Sequence, residues 1–326
     1  MVKLSACYIV KNEARVLRKS MASLQEAVDE FIVVDTGSED DTVAIAKEFG
    51  ASIHFLPWEE DFSKPRNLAV DKATGDWIIF LDADEYYPDE VLPKLRLLIQ
   101  SDMHNMKVGG LMAPRVDLDA EHDNSYIDES KQCRIFRRGS RYRGSIHEQL
   151  ILPKGMIMLH DERLLFYHTG YSTSVVAEKL RRNLFLLEKK MKANEYTLDP
   201  MDFRYLMDCY YGLGDMEKAF AMSSKCLAYR MELAAEISYI YKIRVKSAVF
   251  AGFPQKLVLQ ILQEAVQYDK GYFLLLTGLY FYEQGEKEKF LPYLMAGMEV
   301  AAKASKNNPC MELLPQVRSI MAQYVQ

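Results

Sequence analysis

Two different sequence patterns divide the chain at about residue 170. Before that point short apolar runs alternate with segments of helical spacing, which is typical of an α/β domain built on a mostly parallel sheet. Because the carboxyl ends of parallel strands lie along one edge of a sheet, we expect a ligand site at that edge. The predicted strands are Leu4–Val10, Glu30–Asp35, Ser52–Leu56 and Trp77–Leu81.

Helical segments connect these predicted strands. Ala14–Ala27 carries apolar residues at helical intervals, and a second segment starts at Asp41 and stops at Gly50. Glycine just after the last periodic residue is a common end of a helix. Tandem strand–helix units of this kind predict a Rossmann-like sheet.

From about Ser174 the pattern predicts helices only. The first helix is predicted over Val175–Met191, and helical hairpins with a glycine in the turn follow. The turn glycines Gly214, Gly252 and Gly285 are 38 and 33 residues apart, close to the period of tetratricopeptide repeats (TPRs). Unrelated helical hairpins can share this spacing, so that alternative stays open. The predicted domains are residues 1–172 (α/β), 173–198 (connecting helix) and 199–326 (TPR-like repeats).

Composition excludes several classes of function. The net charge of −5 argues against a broad basic surface, so we expect no nucleic-acid partner. The five cysteines are scattered without a C-x-x-C pair, which favours neither a disulfide framework nor a zinc site. No apolar run reaches the length of a membrane span. We therefore expect a cytoplasmic protein, with a peripheral position at the inner face of the membrane as a variant.

The most unusual stretch is FLDADEYY, which follows the apolar run of the fourth predicted strand. It places Asp82, Asp84 and Glu85 together, with no lysine or arginine in the octet. Carboxylates this close would repel each other unless a cation lay between them. Mg²⁺ and Mn²⁺ prefer carboxylate oxygens and keep positions open for phosphates, so the D-x-D pair predicts a metal site. The alternative is a solvated acidic turn.

Two further motifs carry polar side chains at the same edge. Asp35 ends the second strand, where a carboxylate can accept a hydrogen bond from a uracil N–H or a ribose hydroxyl. Its alternative is a turn that caps the next helix, a role open to Ser38 or Asp40. Arg66 in DFSKPRN is a fixed cation suited to a diphosphate or a base edge. Its alternative is a surface salt bridge.

Five motifs in fixed order resemble family 2 glycosyltransferases of the GT-A fold. Their order is similar to that of the branch that includes bacterial lipopolysaccharide-core glucosyltransferases and the peptide glycosyltransferases that modify bacteriocins. The resemblance covers about residues 1–170. The motifs are IVKNE (9–13), VDEFIVVDTGSEDDT (28–42), DFSKPRN (61–67), GDWIIFLDADE (75–85) and RGSIHEQL (143–150).

The resemblance implies a role for each matching position. Asp84 would bind the metal, with Asp82 as a further candidate ligand. Such folds often use a histidine after the last core strand as another ligand, which implies His168. The residues that would bind the nucleotide-sugar are Asn12, Glu13, Asp35, Arg66 on the base or phosphate side, and Asp82 near the ribose.

The catalytic base is expected within the last motif. GT-A enzymes usually carry an acid in an x-E-D motif there, whereas this chain has Ile146-His147-Glu148. Glu148 takes the position of the base and His147 departs from the pattern. Which of the two removes the proton stays open.

The resemblance therefore implies an inverting glycosyltransferase that needs Mn²⁺ or Mg²⁺. It would move a sugar from a UDP-sugar donor to a saccharide, a lipid-linked saccharide or a peptide. We expect the sugar to be selected by loops around residues 105–145, and the repeats to bind the acceptor or to form a homodimer. The main alternative is an inactive scaffold that keeps both domains. A nucleotidyltransferase ranks lower, because KNEARVLRKS lacks the glycine-rich phosphate loop that such an enzyme needs.

Overall fold

The structure, a computed structural model, describes residues 2–103, 105, 107–170, 173–193, 199–305 and 308–324. The chain divides into two compact units, Met1–Leu186 and Leu187–Gln326. No helix in the described ranges combines the length and the apolar character that crossing a bilayer would need.

The first unit contains all the strands found in the described residues. Their bounds are β1 (Leu4–Val10), β2 (Glu30–Asp35), β3 (Ser52–Phe55), β4 (Trp77–Phe80), β5 (Glu85–Tyr86), β6 (Val108–Asp119), β7 (Ser125–Arg137), β8 (Arg141–Arg143), β9 (Gln149–Ile151), β10 (Ile157–His160) and β11 (Phe166–His168). The helices are α1 (Ala14–Ala22), α2 (Thr42–Glu48), α3 (Ser63–Lys72), α4 (Leu92–Met103) and α5 (Thr173–Ala193), and the boundary between the units falls inside α5.

The main sheet is parallel in one half and mixed in the other. Its order is β3-β2-β1-β4-β7-β6-β11-β5, and β10 pairs with β6. The first four strands run parallel, whereas β7 is antiparallel to both of its neighbours. Strands β8 and β9 form a separate two-stranded sheet. The α/β class predicted from the sequence is thus confirmed.

The position of β4 inside the sheet explains why its sequence is an unbroken apolar run. Trp77 and Ile79 pack into one hydrophobic cluster with residues of α1, α2 and α4. Ile78 and Phe80 point to the opposite face and pack with residues of α3. All four side chains are buried, because the central strand of a sheet covered on both sides has no solvent face.

The sequence predicted loops around residues 105–145, and this prediction was wrong. Strands β6 and β7 form a long antiparallel hairpin over most of it. Most of the first half of β7 is exposed and polar, and β6 contains two glycines and a proline. Such residues give little strand signal, which is why the pattern failed here.

The second unit is helical in its described residues, as predicted. Its helices are α6 (Pro200–Gly212), α7 (Met216–Ala228), α8 (Ile237–Phe250), α9 (Gln255–Ala265), α10 (Lys270–Glu283), α11 (Lys287–Ala301) and α12 (Leu314–Tyr324). The predicted turn glycines Gly214, Gly252 and Gly285 all have positive φ, at 83°, 70° and 74°. This conformation ends the first helix of each hairpin and is unfavourable for residues with a Cβ atom.

Gly278 in α10 and Gly285 in the turn that follows it are needed for different reasons, one for lack of space and the other for its positive φ. A Cβ at Gly278 would lie 2.5 Å from Leu294 Cδ2, whereas nothing lies within 4 Å of a Cβ at Gly285. We expect Gly278→Asn to destabilise the protein by about 1–3 kcal/mol through overpacking. Gly285→Asn should cost less, because asparagine tolerates positive φ. Thermal unfolding followed by circular dichroism would measure both, and the reverse ranking would contradict this account.

Candidate active site

The carboxyl ends of three parallel strands bring the predicted motifs to one edge. Val10 at the end of β1 pairs with Asp35 at the end of β2. Cys7 of β1 pairs with Phe80 at the end of β4. The IVKNE, VVDTGS and LDADE motifs therefore leave the sheet in the same direction, as the sequence analysis expected.

The acidic turn after β4 is neutralised by arginines from distant parts of the chain. Arg66 Nη2 on α3 donates to Asp82 Oδ1 at 2.8 Å, and Arg134 Nη2 on β7 donates to Asp82 Oδ2 at 2.6 Å. Arg134 Nη2 also lies 2.6 Å from Oε1 of Glu85, which is fully buried. Burial works against ionisation of Asp82, but the charges of Arg134 and Arg66 hold its pKa well below its ordinary range.

Arg66 itself is held by aromatic rings and by a second carboxylate. Its guanidinium carbon lies 4.8 Å from the centre of the Phe80 ring and 5.3 Å from that of Tyr142. Its Nε donates to Glu148 Oε1. Arg66 thus bridges Asp82 and Glu148 and is buried, so it is not the surface salt bridge of the alternative interpretation.

Asp84 belongs to a separate polar group together with His168 and Asp117. Asp84 Oδ2 lies 3.5 Å from His168 Nε2, and His168 Nδ1 lies 2.8 Å from Asp117 Oδ1. The strand register explains this contact, because His168 of β11 pairs directly with Asp117 of β6. Asp117 fixes the orientation of the imidazole and directs Nε2 toward Asp84.

The protonation of this group follows from its contacts. Burial alone would lower the pKa of His168, but its bonds to Asp117 and Asp84 raise that pKa to about 9. Burial alone would raise the pKa of Asp84, but His168 and Lys179 hold it well below its ordinary range. In the absence of a metal, Asp84 is therefore an anion between two cations.

Asp35 has one oxygen in use and one that is unused. Its Oδ1 accepts from the backbone N–H groups of Gly37 and Ser38, each at 3.0 Å. Its Oδ2 is buried without a hydrogen-bond partner among the described residues. Asn12 supports the same loop, because its N–H donates to Ser38 Oγ at 2.9 Å and its Oδ1 accepts from Glu39 N at 2.8 Å.

The predicted base lies in the loop between β8 and β9. His147 has a φ of 51°, an unfavourable value for a residue with a Cβ atom. Glu148 uses Oε1 to accept from Arg66, and no hydrogen bond within the described residues engages its Oε2. One oxygen of Glu148 is thus fixed and the other is available.

One cavity of about 520 Å³ collects the candidate residues. It is lined by all of the predicted site residues except Asn12 and Asp35. Three buried donors on its wall lack a hydrogen-bond partner among the described residues: Arg66 Nη1, Arg134 Nε and Tyr142 Oη. The predicted residues in its lining are Glu13, Arg66, Asp82, Asp84, His147, Glu148 and His168.

No group of three or more His, Cys, Asp or Glu side chains among the described residues is arranged to hold a metal ion. Asp82 uses both oxygens for arginine contacts, which leaves Asp84 and His168 as a pair of potential ligands. A pair suits ions that complete their coordination with water and substrate phosphates. It does not suit a permanently closed metal site.

Sequence reasoning missed three residues of this site: Asp117, Arg134 and Lys179. Arg134 interrupts the otherwise apolar stretch around Cys133, Ile135 and Phe136, and a charge at such a place could have signalled a buried ion pair. Asp117 and Lys179 carry no local signal, because only the pairing of β11 with β6 and the position of α5 bring them to the site.

Residues 5–161 match the family model Glycosyl transferase family 2. These residues belong to glycosyltransferase family 2. The site described above thus lies within the family 2 domain, apart from His168 and the residues of α5, which follow the matched segment.

Several curated relatives are similar to part of this chain. A TPR repeat-containing protein of Synechococcus elongatus is 50% identical over 54% of this chain and 42% of its own length. Glycosyltransferase SunS from Bacillus subtilis is 31% identical over 56% of this chain and 44% of its own. An uncharacterized glycosyltransferase of Rickettsia conorii is 36% identical over 54% and 66%. The matched part is less than half of each of the first two relatives.

Among solved structures, glucosyl-3-phosphoglycerate synthase from Mycobacterium tuberculosis, in complex with Mn²⁺, UDP and glucosyl-3-phosphoglycerate, is 21% identical. The alignment covers 35% of this chain and 44% of that chain, with a TM-score of 0.30. This similarity is too low to transfer the position of any ligand.

Glu13 provides a pH-dependent test of the site. Burial, with the nearby charge of Asp84, raises the pKa of Glu13 from 4.5 to about 7. Ionised Glu13 therefore opposes folding. The folded protein is favoured while Glu13 is protonated, and this contribution to the free energy of unfolding is lost as the pH rises from about 4.5 to about 7. In metal-free buffer we expect Glu13→Gln to raise the melting temperature more at pH 8 than at pH 5. The exposed Glu39→Gln is the control, and an equal gain at both pH values would contradict the prediction.

Proposed function

We propose that the chain is an inverting, divalent-metal-dependent glycosyltransferase. Its donor is a nucleotide-sugar, and we assign it as a UDP-sugar. The observation that carries this proposal is the pair Asp84 and His168, held 3.5 Å apart beyond the carboxyl end of β4. Asp117 supports His168 from behind. Such an arrangement gives an oxygen and a nitrogen ligand with a defined orientation.

The residues present fit a divalent cation. Asp84 Oδ2 and His168 Nε2 would hold it, and their small number leaves positions for the phosphates of the donor. The imidazole ligand favours Mn²⁺ over Mg²⁺, which prefers oxygen. When bound, the ion would act as a Lewis acid that neutralises the charge building up on the leaving diphosphate. Asp82 remains a weaker ligand candidate, because two arginines engage it.

Asp35 supports the assignment of a uridine donor. Its buried Oδ2 lacks a partner among the described residues, and an unsatisfied buried acceptor costs free energy unless a ligand or water donates to it. The N3–H of uracil or a ribose hydroxyl is a suitable donor. Asn12 would act indirectly, by fixing the loop that presents Asp35.

Glu148 is the proposed general base. The acceptor hydroxyl or other nucleophile must lose a proton as it attacks the anomeric carbon. Arg66 fixes one oxygen of Glu148, while the other is available to take that proton. Attack from the face opposite the leaving diphosphate would invert the anomeric centre. The acceptor class stays open among saccharides, lipid-linked saccharides and peptides, and homodimerisation through the repeats stays a prediction.

A donor screen tests the proposal without knowledge of the acceptor. Purified protein is incubated with individual UDP-sugars and either Mn²⁺ or EDTA, and released UDP is measured. We expect slow hydrolysis of one or a few UDP-sugars with Mn²⁺ only, and a loss of about 100-fold or more in Asp84→Asn. Asp71→Asn, at an exposed position on α3, should keep full activity.

The outcome of this screen separates an enzyme from a scaffold. Metal-dependent UDP binding without hydrolysis or transfer would favour the inactive scaffold. UDP release that persists in EDTA would contradict metal dependence. If neither UDP nor Mn²⁺ shifted the melting temperature, the nucleotide-sugar proposal would be wrong.

A pair of variants decides between the two candidates for the base. We expect Glu148→Gln to lower acceptor-dependent transfer by about 100- to 10,000-fold and to leave UDP binding nearly unchanged. His147→Gln should have a smaller effect on transfer. The opposite ranking, with UDP affinity preserved in both variants, would assign the base to His147 instead.

A further inference from the structure

The helix α5 places a lysine against the proposed metal ligand. Lys179 Nζ lies 2.9 Å from Asp84 Oδ2, the same oxygen that faces His168 Nε2. Lys179 and Asp84 have side chains that are 32% and 16% exposed, so their contact is only partly open to solvent. The site therefore already contains a cation in the absence of a metal.

Gly170 keeps these three charged atoms close together. A Cβ added at this glycine would lie 2.0 Å from Asp84 Oδ2, 2.5 Å from Lys179 Nζ and 2.6 Å from His168 Nε2. No side chain fits there without moving the group apart. The backbone at Gly170 thus closes one side of the contact, and the cavity lies on another.

We propose that Lys179 is an internal counter-ion of Asp84 that a divalent cation displaces when the donor binds. This inference rests on the metal site of the proposed function. An ammonium ion and a divalent cation cannot both lie against the same carboxylate oxygen, because their charges repel strongly at such distances. Entry of the metal therefore requires Lys179 to leave Asp84.

The displaced lysine has a suitable new partner in the nucleotide. Lys179 lines the same cavity as Glu13, Arg182 and Asp84, and its four-carbon stem lets the ammonium group move without the helix. A diphosphate in this cavity would supply the negative charge that Lys179 loses when it leaves Asp84. Mn²⁺ and UDP should consequently bind cooperatively, since each reduces the cost of binding the other.

In the metal-free protein, Lys179 also supplies a positive charge beside the carboxylate of Asp84. Asp84 is largely buried, and a buried carboxylate without a cation is costly. His168, Lys179 and Arg115, whose Nε lies 3.0 Å from Asp117 Oδ1, supply the positive charge around Asp84 and Asp117. The proposed exchange would keep the net charge of this group, because one divalent cation would replace both the ammonium of Lys179 and the proton that His168 Nε2 must release to bind it.

The test compares Mn²⁺ binding with and without UDP. Isothermal titration of the full chain with Mn²⁺ alone should give about tenfold tighter binding for Lys179→Met than for the unmodified protein. Saturating UDP should increase Mn²⁺ affinity less in Lys179→Met than in the unmodified protein. Lys179→Arg keeps the charge and should resemble the unmodified protein. Arg181→Met removes an exposed charge from the same helix and should have no effect.

An unchanged or weaker affinity of Lys179→Met for Mn²⁺ would overturn the inference, provided that Lys179→Gln gives the same result and both variants keep the melting temperature of the unmodified protein. Equal cooperativity between Mn²⁺ and UDP in both proteins would overturn it as well. Failure of the proposed function would look different. In that case Mn²⁺ binding would respond to Lys179→Met as expected, while no UDP-sugar would be hydrolysed or transferred.

Discussion

The site depends on how negative charge is neutralised at the end of β4. Three carboxylates follow this buried strand, and burial of unpaired charges would be prohibitive. Arg66 from α3 and Arg134 from β7 meet at Asp82, and Arg134 also pairs with buried Glu85. These contacts connect the parallel half of the sheet with its antiparallel half. Removing Arg134 would leave the buried carboxylate of Glu85 without its partner, which typically costs several kcal/mol.

This neutralisation gives the two aspartates of LDADE different properties. Asp82 is fixed by two arginines that cannot lose their protons, so its charge is satisfied without a metal. Asp84 is paired with His168, which can lose its proton, and with Lys179, whose flexible side chain can move away. Two carboxylates that are only two residues apart in the sequence are thus suited to different roles. One maintains the structure of the turn, and the other is suited to exchange its partner for an incoming cation.

The sequence predicted the parallel half of the sheet and the helical second unit, and seven of the nine residues that it predicted for the site line the cavity. These features have local causes, such as the apolar run of β4 and the positive φ at the turn glycines. The hairpin of β6 and β7 was missed, because most of the first half of β7 is exposed and polar and because β6 contains glycine and proline. The partners Asp117, Arg134 and Lys179 were missed for another reason. Their contacts span 49 to 95 residues of sequence and arise only from strand register and helix placement.

If the proposed metal site exists, its small number of protein ligands would have a functional consequence. A site with three or four protein ligands would hold a cation permanently, with or without substrate. In the proposed metal site, Asp84 and His168 would offer only two ligands, and Lys179 would compete for one of them. Tight metal binding would then require the phosphates of the donor as further ligands and as the new partner of Lys179. Such a design would assemble the charged site only around a bound nucleotide-sugar, and the free protein would keep its buried charges balanced by its own side chains.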